Sequence, residues 1–114
     1  MQKNSSMSFN VKTISVFERQ AKRLIKKHPS LKDQLRTLIL KLDQEPTNGT
    51  SIGNNCYKIR FAILSKGKGK SGGARIITHV VYKDETVFLL SIYDKSDMEN
   101  ILDKEILKLI QFIP

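Results

Sequence analysis

The chain has 114 residues, one cysteine and a formal net charge of +9 at pH 7. This length favours one domain with its own core, and a lone cysteine excludes an internal disulfide, which suits a reducing cytoplasm. No apolar run reaches the roughly 18 residues of a membrane span, and residues 1–8 lack the apolar segment of a secretory signal. The positive charge favours an anionic partner such as nucleic acid, and a cytoplasmic location is expected.

The first half of the sequence predicts a short strand followed by two helices. Residues 1–8 are polar and are expected to form a flexible tail, and residues 9–114 to form one domain. Residues 9–14 alternate weakly between polar and apolar, as a strand does. Capping-box patterns at Ser15–Glu18 and Ser30–Asp33 mark the starts of two amphipathic helices. Because the turn between them is short, the helices are expected to pack as an antiparallel hairpin.

The second half predicts a loop, three strands and a last helix. Residues 46–55 are rich in asparagine, glycine and threonine and are expected to be a loop. Alternating segments predict strands at residues 57–63, 74–82 and 86–93, each antiparallel to the next. A third capping box at Ser96–Glu99 predicts the start of a C-terminal helix. The expected fold is α+β, with an N-terminal strand and a helical hairpin packed on an antiparallel sheet.

The basic residues are concentrated where acidic residues are absent. The chain contains 11 acidic residues, yet none lies between residues 46 and 83. A glycine- and lysine-rich loop within this window ends like a phosphate-binding P-loop at residues 69–71, but Leu64 stands where that motif needs glycine. We expect a mobile basic clamp over a polyanion, with a solvated hairpin loop as the simpler interpretation. The lysines expected to bind RNA are Lys66, Lys68 and Lys70.

Alternation along the predicted strands places basic and proton-carrying side chains on one face. If the helices cover the face that carries Ile59, Ile76 and Phe88, the opposite face is open. The side chains expected on that open face are Lys58, Arg60, Arg75, His79 and Tyr93. Such a cluster can cleave RNA without a metal ion, because it supplies a base, cations for the transition state and an acid. Two isolated histidines and one cysteine do not make a metal site, so neither a metal nor another cofactor is expected.

These residues resemble the RelE/ParE superfamily of bacterial type II toxins, and in particular its RelE and HigB-like branch. The similar segments are residues 57–60, 65–77 and 89–96, and the order of elements agrees over residues 9–112. The resemblance implies a RelE-like fold and a ribosome-dependent mRNA endonuclease that inhibits translation in the bacterial cytoplasm. It also implies neutralisation by a cognate antitoxin, with mRNA and the ribosome as the other partners.

The resemblance further implies roles for single residues. Lys58 is the candidate base, and Lys95 assists the leaving oxygen or holds the RNA backbone. The residues implied to stabilise the phosphorane are Arg60 and Arg75. Ile101 stands where RelE carries a tyrosine, and Tyr93 is the candidate substitute. His79 is expected to contact RNA.

Two other functions are compatible with the same sequence. A ParE-like toxin would inhibit DNA gyrase and would use the basic strand residues only as surface. A non-catalytic nucleic-acid-binding module would bind with a steep salt dependence and would not arrest growth. His79 and Tyr93 also have simpler interpretations, as a packed strand residue and an amphipathic edge aromatic.

Overall fold

The computed structural model describes residues 8–67 and 69–114, which form an α+β fold. The helices are α1 (Ser15–Lys27), α2 (Leu31–Gln44) and α3 (Asp103–Ile110). The strands are β1 (Asn10–Thr13), β2 (Thr50–Gly53), β3 (Cys56–Phe61), β4 (Ala74–Val81) and β5 (Thr86–Asp94). They form one five-stranded sheet in the order β1-β5-β4-β3-β2. The predicted α+β class is confirmed, but the sheet is mixed because β1 runs parallel to β5.

The core lies between the helices and the sheet. In α1 the buried residues Phe17, Ala21 and Leu24 are spaced as one helical stripe, and α1 packs against β5. The apolar residues of α2 and the three long strands complete the same core. Of the predicted tail, residues 1–7 lie outside the described residues. No described helix is long and apolar enough to cross a membrane.

Strand β2 lies inside the segment predicted to be a loop. Gly53 pairs with Cys56 across a two-residue turn, in which Asn54 and Asn55 have φ angles of 55° and 57°. Two consecutive left-handed residues form a type I′ turn, whose twist matches that of paired strands, and asparagine tolerates this conformation. The asparagines therefore belong to a hairpin turn, and the prediction of a continuous loop is wrong.

A β-bulge in β5 changes which residues share a face. The pairing between β4 and β5 shifts between Ile77 and Thr78, which leaves Leu90 as the extra residue on β5. Beyond the bulge, Phe88 pairs with His79 and shares its face. The prediction that Phe88 lies on the helix-covered face is therefore wrong.

The last helix begins at Asp103, later than its predicted start at Ser96. The carboxylate of Asp94 accepts the Ser96 amide at 2.9 Å. The Asp94 carbonyl accepts the amides of Asp97 at 2.9 Å and Met98 at 3.2 Å. These hydrogen bonds end β5 in a turn, so Ser96 is a turn residue and not a helix cap.

Candidate active site

Three predicted site residues occupy one rung of the sheet, here called the site rung (Arg60, Arg75 and Tyr93). Arg60 on β3 pairs with Arg75 on β4, and Arg75 pairs with Tyr93 on β5. Directly paired residues have Cβ atoms about 5 Å apart, so the three side chains share one face. Arg60 is exposed, whereas Arg75 and Tyr93 are 5% and 6% exposed. Like charges directly opposite each other are destabilising, which favours an anion at this position.

Lys58 joins the same face from β3, two residues before Arg60. Its Nζ donates a hydrogen bond to Asn100 Oδ1 at 3.0 Å. Burial lowers the pKa of Lys58, and the positive charges of Arg60 and Arg75 lower it further. A lysine in this environment releases its proton more easily, and only its neutral amine can act as a base.

Arg75 is held in place by backbone carbonyls. Its Nη1 donates to Lys70 O at 2.8 Å and to Ala74 O at 3.1 Å. Its Nε and Nη2 have no partner among the described residues. A guanidinium carries five N–H donors, so donors remain for a phosphate oxygen.

Tyr93 carries the hydroxyl of the site rung. Burial raises the pKa of Tyr93, while the charges of Arg75 and Arg60 and the backbone amide of Ile101 oppose that rise. The hydroxyl makes no hydrogen bond of regular geometry within residues 8–67 and 69–114. Tyr93 therefore keeps its proton at neutral pH and is an available proton donor.

The glycine- and lysine-rich loop is fastened to the rest of the fold at both ends. Gln34 of α2 donates from Nε2 to Ala62 O at 2.6 Å, and its Oε1 accepts the Leu64 amide at 3.1 Å. At the other end, the Lys95 amide donates to Gly73 O at 2.9 Å. The loop expected to be a mobile clamp is thus bound to α2 and to the end of β5.

The loop lysines have different environments. Lys66 donates from Nζ to both carboxylate oxygens of Asp94, at 3.0 and 2.9 Å, and to Ser96 Oγ at 3.0 Å. Its charge is therefore compensated inside the protein. Lys70 is exposed and its ammonium has no partner in the described part of the chain, whereas Lys68 lies outside the described residues. RNA binding by these lysines stays a prediction, and Lys70 is the described one that is free to do it.

Asp94 was not predicted to belong to the site, yet it connects three segments around it. The residue is 4% exposed, and besides Lys66 it has His28 Nε2 at 3.6 Å from its Oδ2. Burial alone would raise the pKa of Asp94, but hydrogen bonds from Lys66 and Ser96 outweigh it and hold the pKa below its ordinary value. The available signal was an acid directly after the last predicted strand, which ends at residue 93.

His79 lies away from the site rung. It belongs to a second rung, here called the packed rung (Cys56, His79 and Phe88), about 13 Å along β4 from Arg75. Its Nδ1 lies 3.4 Å from Cys56 Sγ. Burial lowers the pKa of His79, and burial raises the pKa of Cys56 to about 11. Both groups are therefore neutral at pH 7, and a role for His79 in RNA binding stays a prediction.

Lys95 follows β5 directly and is half-buried. Its amide is bound to the loop, but its ammonium has no hydrogen bond or ion pair within the described chain.

The structure brings Lys58 and the site rung together and leaves His79 apart. No cluster of three or more His, Cys, Asp or Glu residues among those described is arranged to hold a metal ion.

The fold and the site rung define a class of small basic α+β proteins with a cationic sheet face. The profile of the family described as the RelE toxin of the RelE/RelB toxin–antitoxin system matches residues 13–112. This chain therefore belongs to the RelE toxin family. A cognate antitoxin is the partner that membership implies.

Two solved structures from E. coli share the fold. A double arginine-to-alanine mutant of RelE in the free state is similar with a TM-score of 0.60 and 18% identity, covering 95% of this chain and 100% of that one. The isolated RelE toxin, in a P21 crystal form, gives a TM-score of 0.53 and 18% identity, covering 94% of this chain and 100% of that one. At this identity the likeness concerns the fold alone, and it agrees with the RelE-like architecture.

Proposed function

We propose that this protein acts in the cytoplasm and inhibits translation by cleaving mRNA on the ribosome. The observation that carries the proposal is the site rung with Lys58 beside it. Two arginines, a lysine of lowered pKa and a protonated phenol share one face of the sheet. In RNA cleavage the 2′-OH attacks the adjacent phosphorus, and this reaction requires a base, cationic donors and an acid. The four groups can supply all three.

Lys58 is the proposed base. Its neutral amine takes the 2′-OH proton as the oxygen forms a bond to phosphorus, and the lowered pKa supports this role because it increases the neutral fraction at a given pH. In the free protein its ammonium donates to Asn100, so RNA must replace that hydrogen bond when it binds.

The arginines of the site rung are proposed to stabilise the phosphorane. The attack adds negative charge to the phosphate oxygens, and fixed cationic donors favour that state over the ground state. Arg75 suits this role because two backbone carbonyls orient it while Nε and Nη2 have no partner among the described residues.

Tyr93 is the proposed acid, and Lys95 is the other candidate. The 5′-oxygen needs a proton as its bond to phosphorus breaks, and the raised pKa of Tyr93 keeps that proton available. Its hydroxyl also lies close to the backbone of Ile101, where the family pattern has a tyrosine. Because Tyr93 is 6% exposed, the segment around Ile101 must shift for RNA to reach the hydroxyl.

Cell-free translation followed by primer extension on the mRNA tests this function. We expect new 5′ ends with the wild-type protein and ribosomes, and none when ribosomes are omitted. His79→Gln changes the same sheet face away from the site rung and serves as the control variant. It should produce the same new 5′ ends as the wild type.

Three results would contradict the proposal. Growth arrest with intact mRNA and altered DNA supercoiling would favour a gyrase inhibitor. RNA binding without growth arrest would favour a non-catalytic module. Cleavage of naked RNA at the same sites and rate would remove the ribosome from the mechanism.

A further inference from the structure

Helix α1 carries a row of cations that the proposed chemistry does not use. The row, here called the α1 basic face, comprises Arg19, Lys22, Arg23, Lys26 and Lys27. All five residues are exposed. The ion pairs among the described residues are His28–Asp94, Arg36–Asp33 and Lys66–Asp94, and none of them includes the α1 basic face.

This arrangement costs helix stability. Arg19 and Arg23 are four residues apart, as are Lys22 and Lys26, so like charges are neighbours on the helix surface. Each such pair destabilises a helix by about 0.2–0.5 kcal/mol. The other helices each carry one such pair, Lys32–Arg36 in α2 and Lys104–Lys108 in α3, but acids lie beside it. Asp33 pairs with Arg36, and α3 holds two acids for its two lysines. An external anion would offset the repulsion on α1.

The α1 basic face is continuous with the candidate active site. A cavity of about 260 Å³ lies between α1 and the segment that follows β5. Arg23 and Lys27 line its α1 side, and Tyr93 lines the other side. Gln20 fixes this geometry, because its Oε1 accepts the Ile92 amide at 2.9 Å. A polyanion that reaches Tyr93 can therefore continue onto α1.

We propose that the α1 basic face is a second RNA-binding surface, which holds phosphates of the RNA that enters the site. The proposal rests on the proposed function for the choice of RNA as the polyanion. Asp94 and Asp97 also line the cavity, and their carboxylates repel phosphate. The phosphates therefore lie at the rim, beside Arg23 and Lys27, and continue along the helix. Residues 19 to 27 span about 12 Å at 1.5 Å per residue, enough for several contacts.

The test compares two triple variants that lose the same charge. One is Arg19→Gln, Lys22→Gln and Arg23→Gln on α1. The other is Lys32→Gln, Lys41→Gln and Lys83→Gln, which removes exposed lysines from α2 and from the β4–β5 turn. Binding to a single-stranded RNA oligonucleotide and to purified ribosomes is measured across a range of NaCl concentrations, and circular dichroism checks the fold of each variant.

The α1 variant is expected to lower the slope of log K against log salt by about 2, at about 0.7 per lost phosphate contact. At 0.1 M NaCl this corresponds to about 100-fold weaker binding. The control variant is expected to keep both quantities near the wild-type values. A loss with both ligands supports the proposal, because the oligonucleotide represents the strand that enters the site. A loss seen only with ribosomes would assign the α1 basic face to rRNA and would overturn the proposal.

Equal effects of the two variants would overturn the proposal, because net charge alone would then explain binding. Unchanged RNA binding by the α1 variant would also overturn it. The outcome is separable from that of the proposed function. A wild-type protein that binds RNA through α1 without cleaving it would contradict the nuclease and leave this surface in place.

Discussion

The site rung and the packed rung lie on the same sheet face and are built from the same three strands, yet they have opposite character. The site rung contains two cations and a phenol, whereas the groups of the packed rung are neutral at pH 7. Their neighbours differ as well. Strand β1 extends the packed rung, because Lys12 pairs with Phe88. On the β5 side of the site rung no further strand follows among the described residues, and Gln20 of α1 accepts the Ile92 amide instead.

This difference shows that position along a strand matters as much as the face. Alternation placed His79 with the arginines, because all of them point the same way. The end of the sheet decides the environment: the site rung lies where β4 meets the loop and Arg75 can bind Lys70 O. The packed rung lies between strands and is filled by a thiol and a ring.

The largest effect is expected from Arg75→Ala. Loss of a fixed donor for the phosphorane should lower the cleavage rate by about 10²–10³. Primer extension under single-turnover conditions measures this rate. Arg75→Lys is the companion variant, because it keeps a charge but loses the planar guanidinium. Since Nη1 also binds Lys70 O, circular dichroism must show an intact fold. Toxicity of Arg75→Ala at the wild-type level would remove Arg75 from the mechanism.

Asp94→Asn tests what supports the site rung. The substitution leaves the Lys66 ammonium without its carboxylate partner, and the Lys66 side chain is only 13% exposed. Loss of one partner of a buried ion pair lowers the free energy of unfolding by about 3–5 kcal/mol. Urea unfolding at pH 7 measures this difference, and Asp94→Asn with Lys66→Met should recover part of it.

The same variant has a predicted pH dependence. Because folding lowers the pKa of Asp94, its carboxylate stabilises the fold above the ordinary carboxyl range. That contribution is lost as the pH falls through the lowered, folded-state pKa. The difference in the free energy of unfolding between wild type and Asp94→Asn should therefore shrink towards acid pH. A difference that does not change with pH would contradict this role of the Asp94 carboxylate.

Arg60→Gln tests the coupling between the site rung and Lys58. The charge of Arg60 helps to lower the pKa of Lys58, so its removal should raise that pKa. If Lys58 is the base, the plateau of the pH–rate profile moves to higher pH, and the rate at neutral pH falls. Lys32→Gln removes a distant charge and should leave the profile in place. A profile that loses height without moving would exclude Lys58 as the titrating base.

The smallest effect is expected from His79→Gln on the packed rung. The cleavage rate should change less than twofold, and the free energy of unfolding by about 1 kcal/mol, because one polar contact with Cys56 is altered. A tenfold loss of cleavage would extend the site along β4 and end the contrast between the two rungs.

The sequence predicted those features that depend on local pattern. The stripes of α1 and α2, the three long strands and the shared face of Lys58, Arg60 and Arg75 all follow from periodicity, and the resemblance to the RelE toxins is confirmed. Residues close together in the sequence are enough to determine these features.

Features that depend on contacts between distant segments were not predictable in the same way. The start of α3 was missed because Asp94 accepts the Ser96 amide in a turn, and Lys66 of the loop binds the same carboxylate. Strand β2 was missed because it exists only as the partner of β3. In both cases a residue of another segment takes part in the contact.

The bulge at Leu90 divides β5 into two halves whose side-chain phases are independent. Without the bulge, Phe88 and Tyr93 would lie on opposite faces of the sheet, because side chains alternate regularly along a strand. The end that binds α1 and the end that binds β1 can therefore diverge separately among relatives. Deletion of Leu90 would remove the bulge and leave Phe88 and Tyr93 four residues apart, so a regular strand would keep both on the face that they share now.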